Sequence, residues 1–238
     1  MRHLVIAIGL IAWAGLAGAF EVEEQRLFAG GSDDQVVSIL STTDTIVFEP
    51  VILAFQARNP DIGVSYTVSS TQEVYRAIVE EAVPFDLVVS SAMDLQIKLA
   101  NDGLARPHVS QTVEALPDWA IWREHLFAFS QEPVVLLLRR DAFGDLALPQ
   151  DRSGLIETMR QQRALFDGRI GTYDPHRSGA GYLFATQDAR QSDSFWRLAE
   201  VMGSLSPRFY ASTGAMIRDL EAGRLVAAYN VLGSYVSG

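Results

Sequence analysis

Three strand–loop–helix units follow one another between Val36 and Asn101, and this succession constrains the fold more than any other feature. Val36–Leu40 is a short apolar run. Ser41-Thr42-Thr43-Asp44-Thr45 separates it from an amphipathic stretch that ends at Asn59-Pro60. Proline fits a helix only in its first turn, so Pro50 predicts a helix that starts near Ile46, with Phe48, Val51, Ile52 and Phe55 as its apolar stripe. Gly63–Val68 alternates, placing Val64, Tyr66 and Val68 on one face of a strand, and Ser70-Thr71-Gln72-Glu73 is a capping box for the next helix. Phe85–Val89 then leads through Ser90-Ser91 into a helix from Met93 to Asn101, stopped by Gly103. Repeated units of this kind pack as a parallel sheet flanked by helices.

The second half repeats the architecture without repeating the sequence. Leu104–Gln131 is irregular and aromatic. After Pro133, Val134–Leu138 reads as a buried parallel or crossing strand. Leu155–Leu165 is an amphipathic helix and Arg169–Tyr173 a strand. Helices are predicted over Leu183–Arg190, Phe195–Met202 and Thr213–Ala222, with Leu225–Asn230 the last strand. Ahead of all this, Phe20–Gln35 is acidic and aperiodic and reads as a poorly ordered lead-in.

Residues 1–19 read as an export signal: Arg2 and His3 precede the apolar run Leu4–Leu16, and Ala17-Gly18-Ala19 is a small-residue cleavage site. The run is short for a membrane span, which needs about 20 residues. The formal charge of −10 argues against nucleic acid, whose affinity rests on Lys and Arg neutralising phosphates. Without cysteine the chain has no disulfide, thiolate nucleophile or Cys–metal site.

The candidate site residues are hydroxyls and glycines at strand-to-helix junctions. Ser41, Thr42, Thr43 and Asp44 follow the first strand, and Ser90 and Ser91 repeat the arrangement after the third. Strand ends and helix N-termini offer free backbone N–H groups to a ligand, although helix capping alone accounts for part of such a pattern. Ser178-Gly179-Ala180-Gly181 beside Arg177 is a second such loop, an oxyanion cradle that matches neither a Walker loop nor G-x-G-x-x-G. Thr213 and Tyr229 are further candidates. For catalysis the chain offers little: no G-x-S-x-G surrounds Ser178, no H-E-x-x-H is present, and His108, His125 and His176 lack ligand spacing. Nothing asks for a cofactor, a metal or an enzyme.

STTDT, FDLVVSSAMD, PVVLLLRRD, RSGAGYLFATQDA and AAYNVLGSY resemble the extracellular solute-binding proteins of ABC transporters. The nearest group is the one containing ferric-iron-type and sugar-phosphate-type binding proteins. The resemblance runs from Val36 to the end. It implies an α/β, two-lobe periplasmic-binding-protein-like fold of type II, with lobe one at 36–131, lobe two at 132–229 and a return crossing at 230–238. It also implies hinges near Ser130–Pro133 and Asn230–Gly233, a periplasmic monomer, and delivery of a small solute to a membrane permease. By resemblance, Ser41–Asp44 and Ser90–Ser91 contact that solute from lobe one, and Ser178–Gly181, Thr213 and Tyr229 from lobe two. Ferric-binding members use a closely spaced tyrosine pair, whereas Asn230-Val231-Leu232-Gly233-Ser234 separates Tyr229 from Tyr235. The expected ligand is therefore an organic anion, a carboxylate or phosphorylated sugar, with bare ferric iron, a sensory role or a secreted enzyme as alternatives. Family members continue beyond the crossing, so a first lobe lacking its C-terminal part is expected.

Overall fold

The computed structural model describes residues 19–32 and 35–236, so the export signal lies, apart from Ala19, outside the described residues. The first half comprises β1 (Glu24–Phe28), β2 (Val36–Ser41), α1 (Thr45–Arg58), β3 (Gly63–Val68), α2 (Thr71–Val79), β4 (Leu87–Val89) and α3 (Met93–Asn101). These strands form one sheet in the order β1-β3-β2-β4. β2, β3 and β4 run parallel, with Ser41 level with both Val68 and Val89, while β1 lies antiparallel along the outer edge of β3.

A connecting region holds α4 (Gln111–Glu114) and the two-residue strands β5 (Ile121–Trp122) and β6 (Leu126–Phe127). The second half then comprises β7 (Val134–Leu138), α5 (Arg140–Phe143), α6 (Arg152–Gln161), α7 (Arg163–Phe166), β8 (Ile170–Tyr173), α8 (Gly179–Gln191), α9 (Ser194–Gly203), β9 (Arg208–Tyr210), α10 (Thr213–Glu221) and β10 (Ala227–Leu232). Its sheet, β7-β10-β8-β9, repeats the plan of the first, with three parallel strands and an antiparallel edge strand.

Alternating side chains explain why each sheet is covered twice. In β2, Ile39 packs with Phe48 and Ile52 of α1, while its neighbour Leu40 points the other way, to Val74 and Ala77 of α2. In the second sheet, Ile170, Val226 and Ala227 meet Leu155, Met159 and Leu198 from α6 and α9. Tyr173, Ala228 and Val231 meet Met216 of α10 on the opposite face. Phe166 and Leu198 are fully buried, each worth about 1.5–3 kcal/mol in surface removed from water.

Several expectations change. Glu24–Phe28 is a strand and not part of a structureless lead-in, because β3 offers an open edge that an acidic segment can pair with through backbone alone. Val134–Leu138 is an edge strand, antiparallel to β10 and only partly buried, so its continuous apolar run reflects contact on both faces without a central position. The helix expected over Leu155–Leu165 starts at Arg152 and breaks at Gln162. Gly179 and Gly181 lie inside α8, not in a loop before it. α1 buries Thr45, Phe48 and Ile52 and leaves Val51 and Phe55 exposed, because the sheet meets only the i, i+3, i+7 face. No helix among the described residues is long and apolar enough to cross a membrane.

Candidate functional site: a cleft between two sheets

Parallel strands place all their C-terminal ends on one side, so the loops after β2 and β4 are neighbours by construction. The Thr42 N–H donates to the Val89 carbonyl at 3.0 Å, and the Ser91 N–H donates to Thr42 Oγ1 at 3.4 Å. Ser41 is buried, and its Oγ accepts from the Thr43 N–H at 3.0 Å; Ser90 Oγ does the same for Ala92 at 3.1 Å. The structure thus brings Ser41–Asp44 and Ser90–Ser91 together, and the hydroxyl oxygens of Ser41, Thr42 and Ser90 accept backbone bonds that shape the two loops. Asp44 stands at the N-cap of α1, yet its carboxylate caps nothing, while its carbonyl accepts from Val47 and Phe48. Below it the Tyr66 hydroxyl donates to the Thr43 carbonyl at 2.9 Å, and the Tyr66 ring stacks on Phe48.

The facing wall is built from the N-termini of α8 and α10. Ser178 Oγ caps α8 by accepting from the Gly181 N–H at 3.1 Å, and Ser212 Oγ caps α10 by accepting from Ala215 at 3.3 Å. A Cβ at Gly181 would meet Tyr173, which explains the small residue. Thr213 is buried and hydrogen-bonded to the Tyr173 hydroxyl.

These walls touch. The Gly179 N–H donates to Thr71 Oγ1, and Gln72 Nε2 donates to the His176 carbonyl. A Cβ at Gly214 would fall on the Asp44 carboxylate. Ser178, Gly179, Gly181 and Thr213 therefore stand across from Asp44, Thr71 and Gln72. Tyr229 does not join them. Its hydroxyl donates to Asp188 at 2.8 Å and accepts from Arg152 at 2.8 Å, within a network between β10, α6 and α8. Arg152 completes the triangle with an ion pair to Asp188 at 2.6 Å.

Sequence reasoning missed the N-terminal contribution. The Glu23 N–H donates to the Val68 carbonyl at 2.9 Å, and the Glu21 N–H to Glu73 at 2.8 Å, so the segment before β1 runs across the mouth of the cleft. A groove of about 350 Å³ is lined from the first half by Glu23, Glu24, Arg26, Asp44, Glu49 and Val68 among others, and from the second half by Arg218. A smaller recess of about 70 Å³ lies between Glu23, Ser70, Gln72 and Arg177. Burial pushes the Asp44 and Glu23 carboxyls above the usual carboxylate range. Arg218 opposes the shift at both, and Arg177 at Glu23. Burial likewise raises the Tyr173 phenol to about 12 and lifts Tyr66 and Tyr235 above the ordinary value of 10. Glu23 stands immediately ahead of β1, in a stretch whose aperiodic, acidic composition gives no sign of pairing.

The comparisons agree with this architecture. The family model of the bacterial extracellular solute-binding protein matches residues 40–230. A solved substrate binding protein of the ABC transporter from Agrobacterium tumefaciens is 33% identical with a TM-score of 0.87, covering 92% of this chain and 67% of its own. Iron-bound HitA from Pseudomonas aeruginosa is 15% identical with a TM-score of 0.62, covering 82% of this chain and 62% of its own. The ferric binding protein from Campylobacter jejuni is 18% identical with a TM-score of 0.60, covering 82% and 61%. The latter two show the fold alone. This chain spans about two thirds or less of the length of these solved proteins. No curated protein sequence matches it. With its two α/β sheets, its facing loops and a family match over most of its length, the chain belongs to the bacterial extracellular solute-binding proteins.

Proposed function

We propose that this protein is the periplasmic solute-binding component of an ABC importer and that it captures a small organic solute bearing an anionic group. The observation that carries the reading is the convergence of helix N-termini. α1 and α2 approach from one sheet and α8 and α10 from the other, and Asp44, Thr71, Gly179 and Gly214 meet between them. Helix N-termini concentrate unpaired N–H groups and positive dipole ends, and Arg177 and Arg218 add full charges on the second wall. Function then consists of closure: solute that contacts both walls favours the closed arrangement by its differential affinity, with no bond made or broken. Delivery to a membrane permease and action as a monomer complete the proposal.

Ferric iron is the second reading, favoured by the three phenols of Tyr66, Tyr173 and Tyr235 around Asp44. All three hydroxyls already have protein partners, Tyr66 donating to the Thr43 carbonyl, Tyr173 bonded to Thr213 and Tyr235 accepting from the Asp44 N–H, which opposes that role. A thermal-shift screen with carboxylates, sugar phosphates and ferric citrate separates the two. An organic anion should raise the melting temperature by mass action. A shift with iron alone overturns the organic-anion reading, and turnover of an ester or phosphate without any shift overturns binding as the function.

A further inference from the structure

Four charges in the cleft stand opposite one another without pairing. Glu23 and Asp44 come from the first wall, Arg177 and Arg218 from the second, and they lie close enough to influence one another's ionisation. No ion pair within 4.0 Å joins either carboxylate to either guanidinium, and among the described residues Arg177 and Arg218 make no ion pair or side-chain hydrogen bond. Arginines nearby behave differently. Arg26 grips both oxygens of Glu49 at 2.8 and 3.0 Å, Arg152 holds Asp188 at 2.6 Å, and Arg224 holds Asp219 at 2.5 Å. These four border the two hollows: Glu23 lines both, Arg177 the smaller beside Glu21 and Glu73, and Asp44 and Arg218 the larger beside Glu24 and the Arg26–Glu49 pair.

We infer that the solute is a zwitterion, whose anionic group lies with Arg177 and Arg218 while a primary ammonium donates to Glu23 and Asp44. The inference rests on the anion-binding function proposed above and adds to it a second charge. Closing the cleft on a plain anion leaves two carboxylates partly desolvated with no added counter-charge, a cost that burial makes larger. Burial already holds both carboxyls above the usual carboxylate range, in keeping with that cost. An ammonium group cancels it and supplies three N–H donors to oxygens that accept. Glu21 and Glu24 add further carboxylates at the same hollows, so a solute with no positive charge meets an acidic surplus there.

Two isosteric pairs test the idea by calorimetry on the full chain: O-phosphoethanolamine against 2-hydroxyethyl phosphate, and β-alanine against 3-hydroxypropionate. The ammonium member of each pair should bind at least tenfold more tightly. Glu23→Gln should weaken the ammonium member and strengthen the hydroxyl member, a crossed effect that mere loss of structure does not produce. Arg218→Gln should weaken both. Equal or tighter binding of the hydroxyl members overturns the zwitterion while leaving an anion site standing. Binding of neither pair, to wild type or to Glu23→Gln, overturns it too. The broader anion reading falls separately, when the thermal-shift screen finds no organic anion at all.

Discussion

The Asp44 N–H donates to the Tyr235 hydroxyl across 3.2 Å, tying the first turn of α1 to the chain that leaves β10, 191 positions later in the sequence. Removing the acceptor by Tyr235→Phe leaves that N–H without its protein partner. The expected cost is about 1 kcal/mol, which lowers Tm by roughly 2–4 °C in a chain of this size. An unchanged melting curve shows that the bond contributes nothing.

Gly214 is a point of close approach between the walls, since any Cβ there falls on the Asp44 carboxylate. Gly214→Ala should hold the lobes apart without unfolding either one. Small-angle scattering is expected to show a larger radius of gyration in the solute-free protein. No expansion would mean that Asp44 simply turns aside.

The Arg152–Asp188–Tyr229 triangle supports the second lobe. Tyr229→Phe should cost about 1 kcal/mol, and Asp188→Ala more, about 2–3 kcal/mol, because it strands a partly buried guanidinium. The double variant should cost less than the sum of the two singles when denaturant midpoints are compared. Strict additivity argues against a shared network.

Tyrosine titration gives an alkaline prediction. Tyr173, Tyr210 and Tyr229 are raised from 10 to about 12, by burial first, with Asp219 and Asp188 as hydrogen-bond partners of the last two. A folded-state pKa above the unfolded one stabilises below pH 10, and that contribution is lost as pH rises towards 12. Stability should therefore fall across this window, with phenolate absorbance rising in step with unfolding. Phenolate signal from these side chains well before unfolding contradicts the burial assigned to them.

Acid acts in the opposite direction on the cleft. Glu23 and Asp44 have raised values, so their contribution to folding stability is present below their ordinary 4.5 and 3.8 and is lost as pH rises through the raised values. Glu23→Gln should therefore gain stability relative to the wild type as pH rises from mild acid to neutral, as denaturant midpoints can show. A difference between the two proteins that is independent of pH, or that shrinks with pH, goes against this reading.

Local patterns made much of the fold legible. Half of the Ser70–Glu73 capping box forms: Ser70 Oγ accepts from the Glu73 N–H, while the Glu73 carboxylate turns to the Glu21 N–H, and the three parallel strands from Val36 to Val89 follow from runs bounded by polar loops. Backbone pairing was less visible. β1 and β9 have exposed faces and no alternation, so their hydrogen bonds to β3 and β8 left no trace in residue type. The site was partly legible for the same reason. Ser41 and Ser178 announce helix starts through local chemistry, whereas Tyr235 and Arg218 reach Asp44 only through tertiary contacts between distant parts of the chain. Tyr229 shows the converse: at a bulge where Asn230 adopts a φ of +65°, its side chain turns to Asp188 on α8 instead of to the cleft, and no spacing rule reveals such a turn.

The path of the chain before β1 carries a practical consequence for anyone labelling this molecule. Phe20 donates its N–H to Glu81, and the next residues cross the rim of the groove. Anything fused just upstream of Phe20, a fluorophore or an affinity tag included, starts beside Glu81 and Phe85, past the C-terminal end of α2, whereas the Thr71 end of that helix faces the cleft. A handle placed there leaves the groove clear, with Glu21 and Glu23 standing between it and the hollows.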